Sequence, residues 1–101
     1  MADTELTADL IDLQKRSDTA WARFLAVADE AGPRNVDSAW PDAVREEAER
    51  WWDEWGRRAD RVREAIDAWA EESGQRRLDI ETELKKQIRG GKGPQLWPVD
   101  E

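Results

Sequence analysis

Residues 40–69 decide the fold, and they read WPDAVREEAERWWDEWGRRADRVREAIDAW. Each residue of an α-helix advances by about 100° around the axis. On such a helix, ten apolar side chains fall within an arc of about 120°, namely Trp40, Val44, Ala48, Trp51, Trp52, Trp55, Ala59, Val62, Ile66 and Trp69. The opposite face carries acids and arginines. This division predicts a long helix that packs along one apolar stripe.

A similar stripe precedes this stretch. Its members recur every three or four positions and are Leu6, Leu10, Leu13, Ser17, Ala20, Trp21, Phe24 and Ala28. The stripe predicts a first helix over about residues 4–31, with Thr4 as its N-cap. Gly32 and Pro33 end this helix, and Asp37 or Ser38 caps a second helix over about residues 38–73. Because the intervening loop is short, we expect the two helices to be antiparallel neighbours.

Residues 75–89 allow two interpretations. Leu78, Ile80, Thr82 and Leu84 alternate with polar residues as in a strand, whereas Ile80, Leu84 and Ile88 share one face of a helix. The composition favours a helix, and no second strand exists to pair with this segment. The sequence therefore predicts an all-α fold, in which a long antiparallel hairpin and a shorter third helix form one domain over residues 1–89.

Residues 90–101 form a Gly/Pro linker followed by an acidic tail that contains Leu96 and Trp97. Such a tail either docks on its own domain, which is the preferred interpretation, or serves as a peptide ligand for another protein. Within the second helix, Gly56 costs about 1 kcal/mol relative to alanine. We expect Gly56 to permit close packing of a neighbour in preference to acting as a hinge.

The charge of the chain restricts its partners. With 24 acids against 16 bases the net charge is −8, which opposes direct binding to nucleic acid or to anionic membranes. No apolar run approaches about 18 residues, and the N-terminus is acidic, so we expect a cytoplasmic protein. Arginine outnumbers lysine twelve to four, a bias that suggests a bacterial or phage origin.

The residues needed for common catalytic chemistry are missing. The chain has no His and no Cys, and none of its serines has a base at helical spacing. We therefore expect no enzymatic activity, no cofactor and no small-molecule substrate. The densest carboxylates are Glu46, Glu47, Glu49, Asp53 and Glu54. The chain resembles short two-helix ferritin-like proteins in length and layout, but their di-iron centres need Glu-x-x-His motifs.

Instead of a metal site, the acids predict a solvated face with ion pairs at i, i+4. The predicted pairs are Glu46–Arg50, Asp53–Arg57 and Glu54–Arg58.

The tryptophans are the candidate binding residues. Trp51, Trp52 and Trp55 are flanked by as many acids as bases, unlike a surface on which nucleobases stack. Tryptophan is enriched at protein interfaces, so the sequence predicts a non-enzymatic interaction module, acting as an adaptor, regulator or assembly component. Its partner is another protein, a second copy in a homodimer, or both. The predicted contact residues are Trp51, Trp52, Trp55, Trp69, Leu96 and Trp97.

Two other functions stay open. Rows of Asp and Glu along a helix can imitate the phosphates of nucleic acid and occupy a basic groove, as in phage-encoded inhibitors of defence proteins. In addition, the chain resembles the WxG-type small substrates of type VII secretion in its length, its helical hairpin and its C-terminal Trp97-to-Glu101 pattern. That family has its Trp-x-Gly in the turn, where this chain reads Gly32-Pro33.

Overall fold

The structure, a computed structural model, describes residues 4–32 and 40–99. These residues form three helices, α1 (Ala8–Ala31), α2 (Asp42–Ser73) and α3 (Arg77–Arg89), and contain no strand. The predicted all-α fold, with a third helix in place of a strand, is therefore confirmed. None of these helices is both long enough and apolar enough to cross a lipid bilayer.

Helices α1 and α2 pack side by side as an antiparallel hairpin. Near the start of α1, the carbonyl oxygen of Glu5 accepts a hydrogen bond of 2.9 Å from the indole Nε1 of Trp69. Near the end of α1, the ring of Phe24 lies 5.4 Å from the ring of Trp52. The molecule is elongated, measuring 55 × 26 × 23 Å. Because α3 has 13 residues against 32 in α2, α3 covers only part of the hairpin.

The hydrophobic core lies where all three helices meet. It is formed by Leu10, Val62, Ile66, Ile80, Leu84 and Ile88. The last three come from α3 and are at most 5% exposed. They recur every fourth residue, whereas Thr82 and Lys86 between them are exposed. One face of a strand would bury those two residues as well, so this pattern of burial is that of a helix face. This burial explains why the segment is helical although part of it alternates like a strand.

Helix α1 begins later than predicted. Its N-cap is Thr7, whose hydroxyl oxygen accepts a hydrogen bond of 3.1 Å from the backbone N–H of Leu10, so the assignment of Thr4 was wrong. The residues before Thr7 have another role. The backbone N–H of Glu5 donates to the side chain of Gln75 at 2.7 Å, and the amide of Gln75 donates back to the Glu5 carbonyl at 3.1 Å. These contacts hold the chain start against the end of α2.

Helix α2 also begins later, at Asp42, with Pro41 as its N-cap. The placement of Trp40 on the helical stripe was therefore wrong. The residue before a proline is sterically excluded from the α conformation, which accounts for the boundary. Trp40 instead donates a hydrogen bond of 2.8 Å from Nε1 to the carbonyl oxygen of Gly32. The predicted caps at Asp37 and Ser38 lie outside the described residues.

Gly56 lies within α2 in open surroundings. A Cβ atom added there meets nothing within 4 Å, so the prediction of close packing was wrong. Gly74, in contrast, ends α2 in the left-handed conformation, with φ 73°, and its N–H bonds to the carbonyl of Ala70.

Candidate protein-binding surface

Beyond α3 the hairpin continues as two helices, and we call residues 20–32 and 40–56 the hairpin tip. Four rings of this region form the aromatic cluster: Trp21, Phe24, Trp52 and Trp55. Their centroids are separated by 5.1 to 5.7 Å in the five contacting pairs. Tilted and edge-on contacts at these distances each stabilise the packing by about 0.5–1.5 kcal/mol beyond area burial. The aromatic cluster therefore holds the two helices of the tip together.

One ring of the aromatic cluster is exposed. Trp52 remains 48% exposed, although it contacts the rings of Trp21, Phe24 and Trp55. Beside it runs a groove of about 250 Å³, which we call the tip groove. The tip groove is lined by Phe24, Trp40, Arg45, Ala48, Glu49 and Trp52. An indole of this size exposed next to an apolar concavity is typical of protein-binding surfaces.

Two of the predicted tryptophans are engaged within the chain. The guanidinium of Arg23 lies 4.8 Å from the centroid of Trp51, in a cation–π contact that partly covers the indole. Trp69 packs against the hydrophobic core at the other end of the molecule and donates its indole hydrogen bond to Glu5. Trp51 and Trp69 are both partly buried.

The C-terminal tail docks on its own domain. The backbone N–H of Trp97 donates to the hydroxyl of Thr19 at 2.9 Å, and that hydroxyl donates to the Trp97 carbonyl at 3.3 Å. The indole packs against the hydrophobic core, and the ammonium of Lys15 lies 4.8 Å from its centroid. Leu96 points away and is 62% exposed. Within the described part of the chain, the buried Nε1 of Trp97 has no hydrogen-bond partner.

The six predicted contact residues thus do not form one surface. Only Trp52 and Trp55 lie together, and two residues of α1, Trp21 and Phe24, complete their cluster. The sequence assigned Trp21 and Phe24 to the apolar stripe of the first helix but not to the site. Trp21 and Phe24 are three residues apart and so share one face of a helix, and that spacing, next to a Trp-rich second helix, could have indicated that they belong to the site.

The net negative charge of the described residues lies at the hairpin tip. The tip has eight acids and three bases, a net charge of −5, whereas the other described residues have twelve of each. Among the tip acids, Glu46, Glu47, Glu49 and Asp53 are exposed and form no ion pair with another described residue. The predicted Glu46–Arg50 pair was therefore wrong.

The predicted Asp53–Arg57 pair was wrong as well, while the Glu54–Arg58 pair is confirmed. Glu54 accepts hydrogen bonds from both Arg57, at 2.8 Å, and Arg58, at 2.9 Å. These two guanidiniums lower the pKa of Glu54. Arg58 also donates to the backbone carbonyl of Arg16 at 2.9 Å. Arg57 lies four residues after Asp53 and three after Glu54, and its guanidinium bonds to Glu54. Asp53 is therefore left without an ion pair to another described residue.

A buried polar cluster connects α1 to α3. The carboxylate of Asp18, 1% exposed, accepts a hydrogen bond of 2.8 Å from Gln14 and two from Arg89, at 2.7 and 2.9 Å. This carboxylate raises the pKa of Arg89, so the guanidinium stays charged. This cluster could not be predicted from local sequence patterns, because the two ionic partners are 71 positions apart. We interpret it as structural, since all its strong groups are paired.

In the described residues, no group of acids is arranged to hold a metal ion. Comparison of the chain with family models, with curated proteins and with solved structures finds no match.

Proposed function

We propose that the protein is a non-enzymatic protein–protein interaction module that binds its partner through the tip groove and the aromatic cluster. The observation that carries this proposal is the 48% exposure of Trp52 at the centre of a cluster that α3 leaves open. Burial of such an indole in a partner contributes more than most interface contacts. Adaptor, regulatory and assembly roles all fit this description.

The test is affinity capture from the native host with three forms of the protein. We expect Trp52→Ala to lose the captured partner that the parent protein retains. Leu78→Ala is the matched control, because Leu78 is 66% exposed on α3, away from the tip. Trp52→Ala removes an exposed ring and so tests binding more cleanly than replacement of Trp51 or Trp55, which are partly buried. Capture that is equal for all three forms would contradict the proposal.

Self-association through the same surface is a second form of this function. The sequence predicts a homodimer because an aromatic stripe of this size needs a cover. Sedimentation of the purified protein at several concentrations tests it directly. A dimer that Trp52→Ala dissociates would identify the tip groove as the subunit interface.

The unpaired acids of the hairpin tip favour one alternative, an acidic mimic that occupies the nucleic-acid groove of a basic protein. A mimic binds mainly by charge, so its affinity should fall steeply with salt, since exposed charges are screened beyond about 8–10 Å. It should also compete with DNA or RNA for the captured protein. For a groove-based module we expect a shallower salt dependence than for a mimic and loss of binding with Trp52→Ala.

A further inference from the structure

We infer that the tip groove binds one amphipathic α-helix of a partner protein, with large aliphatic residues along one face and Lys or Arg along its edges. This inference rests on the proposed function and specifies the partner. Two observations support it. Helix α3 already packs on the hairpin through aliphatic residues, and the part of the hairpin that α3 leaves open has a net negative charge.

The hairpin already holds a helix. Helix α3 packs against α1 and α2 through Ile80, Leu84 and Ile88, which are spaced four residues apart. Its last turn ends at Arg89, which lines a cleft of about 240 Å³ together with Trp55. The hairpin therefore already packs against one helix that has aliphatic residues at i, i+4 and i+8.

The apolar surface continues where α3 stops. Trp55 borders the cleft at the end of α3, and its ring contacts Trp52, which lines the tip groove together with Ala48. From Trp55 to the start of α2 at Asp42 the surface extends about 20 Å, at 1.5 Å per residue. That length accommodates roughly four turns of a helix. Ala48, which is 3% exposed, forms part of the floor of the tip groove.

The acids around the tip groove favour a ligand helix with basic residues beside its apolar face. Glu49 lines the tip groove, and Asp53 follows Trp52 directly in the sequence. Neither acid forms an ion pair with another described residue, whereas Arg45 in the same lining is paired with Asp42 at 3.0 Å. A helix with Lys or Arg beside its apolar face would neutralise these acids and meet the net charge of −5 of the tip.

The same charge argues against a second copy as the occupant. A two-fold symmetric dimer places the same patch of each subunit against the other. Two tips with a net charge of −5 each would then face one another, and like charges at an interface disfavour association. A basic helix from another protein meets no such repulsion.

The experiment uses the full chain and three synthetic peptides, each of about 18 residues, which is long enough to form a helix. The first has Leu or Ile at i, i+4 and i+8 with Lys at the flanking positions. The second replaces each Lys by Glu, and the third keeps the composition of the first but scrambles the apolar spacing. Titration calorimetry at low and moderate salt measures binding. We expect saturable one-to-one binding of the first peptide only.

Two pairs of variants locate the binding surface. Trp52→Ala should weaken binding of the first peptide by about tenfold or more, as expected for an interface tryptophan. Leu78→Ala should leave the affinity of this peptide unchanged. The double variant Glu49→Gln/Asp53→Asn should weaken binding of the first peptide severalfold at low salt. Its matched control is Glu71→Gln/Glu72→Gln, which removes two exposed acids at the far end of α2. A cooperative unfolding transition and the helical circular dichroism of the parent show that each variant is folded, although Trp52→Ala should have a lower midpoint because it loses three ring contacts.

The outcomes separate this inference from the proposed function. Equal binding of the Lys and Glu peptides, or binding that Trp52→Ala does not weaken, would overturn the basic-helix inference. Absence of peptide binding, together with self-association that Trp52→Ala abolishes, would overturn it too but leave the interaction surface in place. If Trp52→Ala changes neither peptide binding, nor self-association, nor capture from the host, the proposed function fails with it.

Discussion

Arg89 forms a bidentate ion pair with Asp18, at 2.7 and 2.9 Å, and so joins the last turn of α3 to the middle of α1. The carboxylate is 1% exposed, whereas the guanidinium is 24% exposed. An Arg–carboxylate pair of this geometry is stronger and more directional than a single hydrogen bond. It fixes the end of α3 on the hairpin and thereby determines where the uncovered tip begins.

Arg89→Ala should destabilise the protein, because among the described residues it leaves the buried carboxylate of Asp18 with Gln14 as its single side-chain partner. Loss of one member of a buried pair costs about 3–5 kcal/mol, and the partial exposure of Arg89 brings our expectation to about 2–3 kcal/mol. Chemical denaturation measures the change. Arg76→Ala is the matched control, because the Arg76–Asp79 pair is exposed and exposed ion pairs contribute little to stability. Similar losses in both variants would contradict the structural role of Asp18.

Gly56→Ala should stabilise the protein by up to about 1 kcal/mol, the difference in helix propensity between the two residues. The added methyl group meets no atom within 4 Å, so it introduces no clash. The contrasting variant is Gly74→Ala, which places a side chain at φ 73° and should destabilise. Thermal unfolding distinguishes the two directions. A loss of stability in Gly56→Ala would contradict the open surroundings of Gly56.

Thr19→Val should release the C-terminal tail. The valine keeps the shape of threonine but removes the hydroxyl that bonds both the N–H and the carbonyl of Trp97. Two backbone groups then lose their partner, at a cost of about 1–3 kcal/mol. Limited proteolysis after residue 92 reports release, and Leu96→Ala is the control because Leu96 is exposed. Unchanged protection of the tail in Thr19→Val would show that the indole alone holds it.

Glu54→Gln should reduce the dependence of stability on acid pH. The pKa of Glu54 lies below its usual value of 4.5, mainly because Arg57 and then Arg58 bond to the carboxylate. A lowered folded-state pKa contributes stability that is fully present above pH 4.5 and is lost as the pH falls through the folded-state value. Glu54→Gln should therefore be less stable than the parent near neutral pH, with the difference shrinking under acid.

Denaturation midpoints measured across the acid range check this expectation. Glu71→Gln is the control, because Glu71 is exposed and forms no ion pair with a described residue. A constant difference between parent and Glu54→Gln at every pH would refute the electrostatic explanation.

The three helices and their antiparallel arrangement could be predicted because the apolar spacing is regular and local. Leu10, Ile66 and Ile80 all lie on the predicted stripes and all enter the core. Helix boundaries were less predictable, since Thr4 and Thr7 are equally good caps by residue type. The hydrogen bonds of Glu5 with Gln75 and with the indole of Trp69 hold Glu5 outside the helix.

The binding surface was predicted only in part for a similar reason. Periodicity identified the side of α2 that is apolar, but it could not show that α3 is too short to cover the end where Trp52 lies. Nor could it show that Arg23 covers Trp51, or that Asp18 would be buried by an arginine near the other end of the chain. These contacts depend on residues far apart in sequence.

The aromatic cluster gives the protein an intrinsic optical probe. The indoles of Trp21, Trp52 and Trp55 lie 5.1 to 5.7 Å apart and are tilted by about 50° to one another. At such separations the electronic transitions of neighbouring indoles couple as excitons, and tilted chiral pairs give a couplet of opposite signs in circular dichroism. Because Trp52 is the most exposed member, a ligand in the tip groove that turns its ring would change the couplet. Occupancy of the groove can thus be followed in the unlabelled protein.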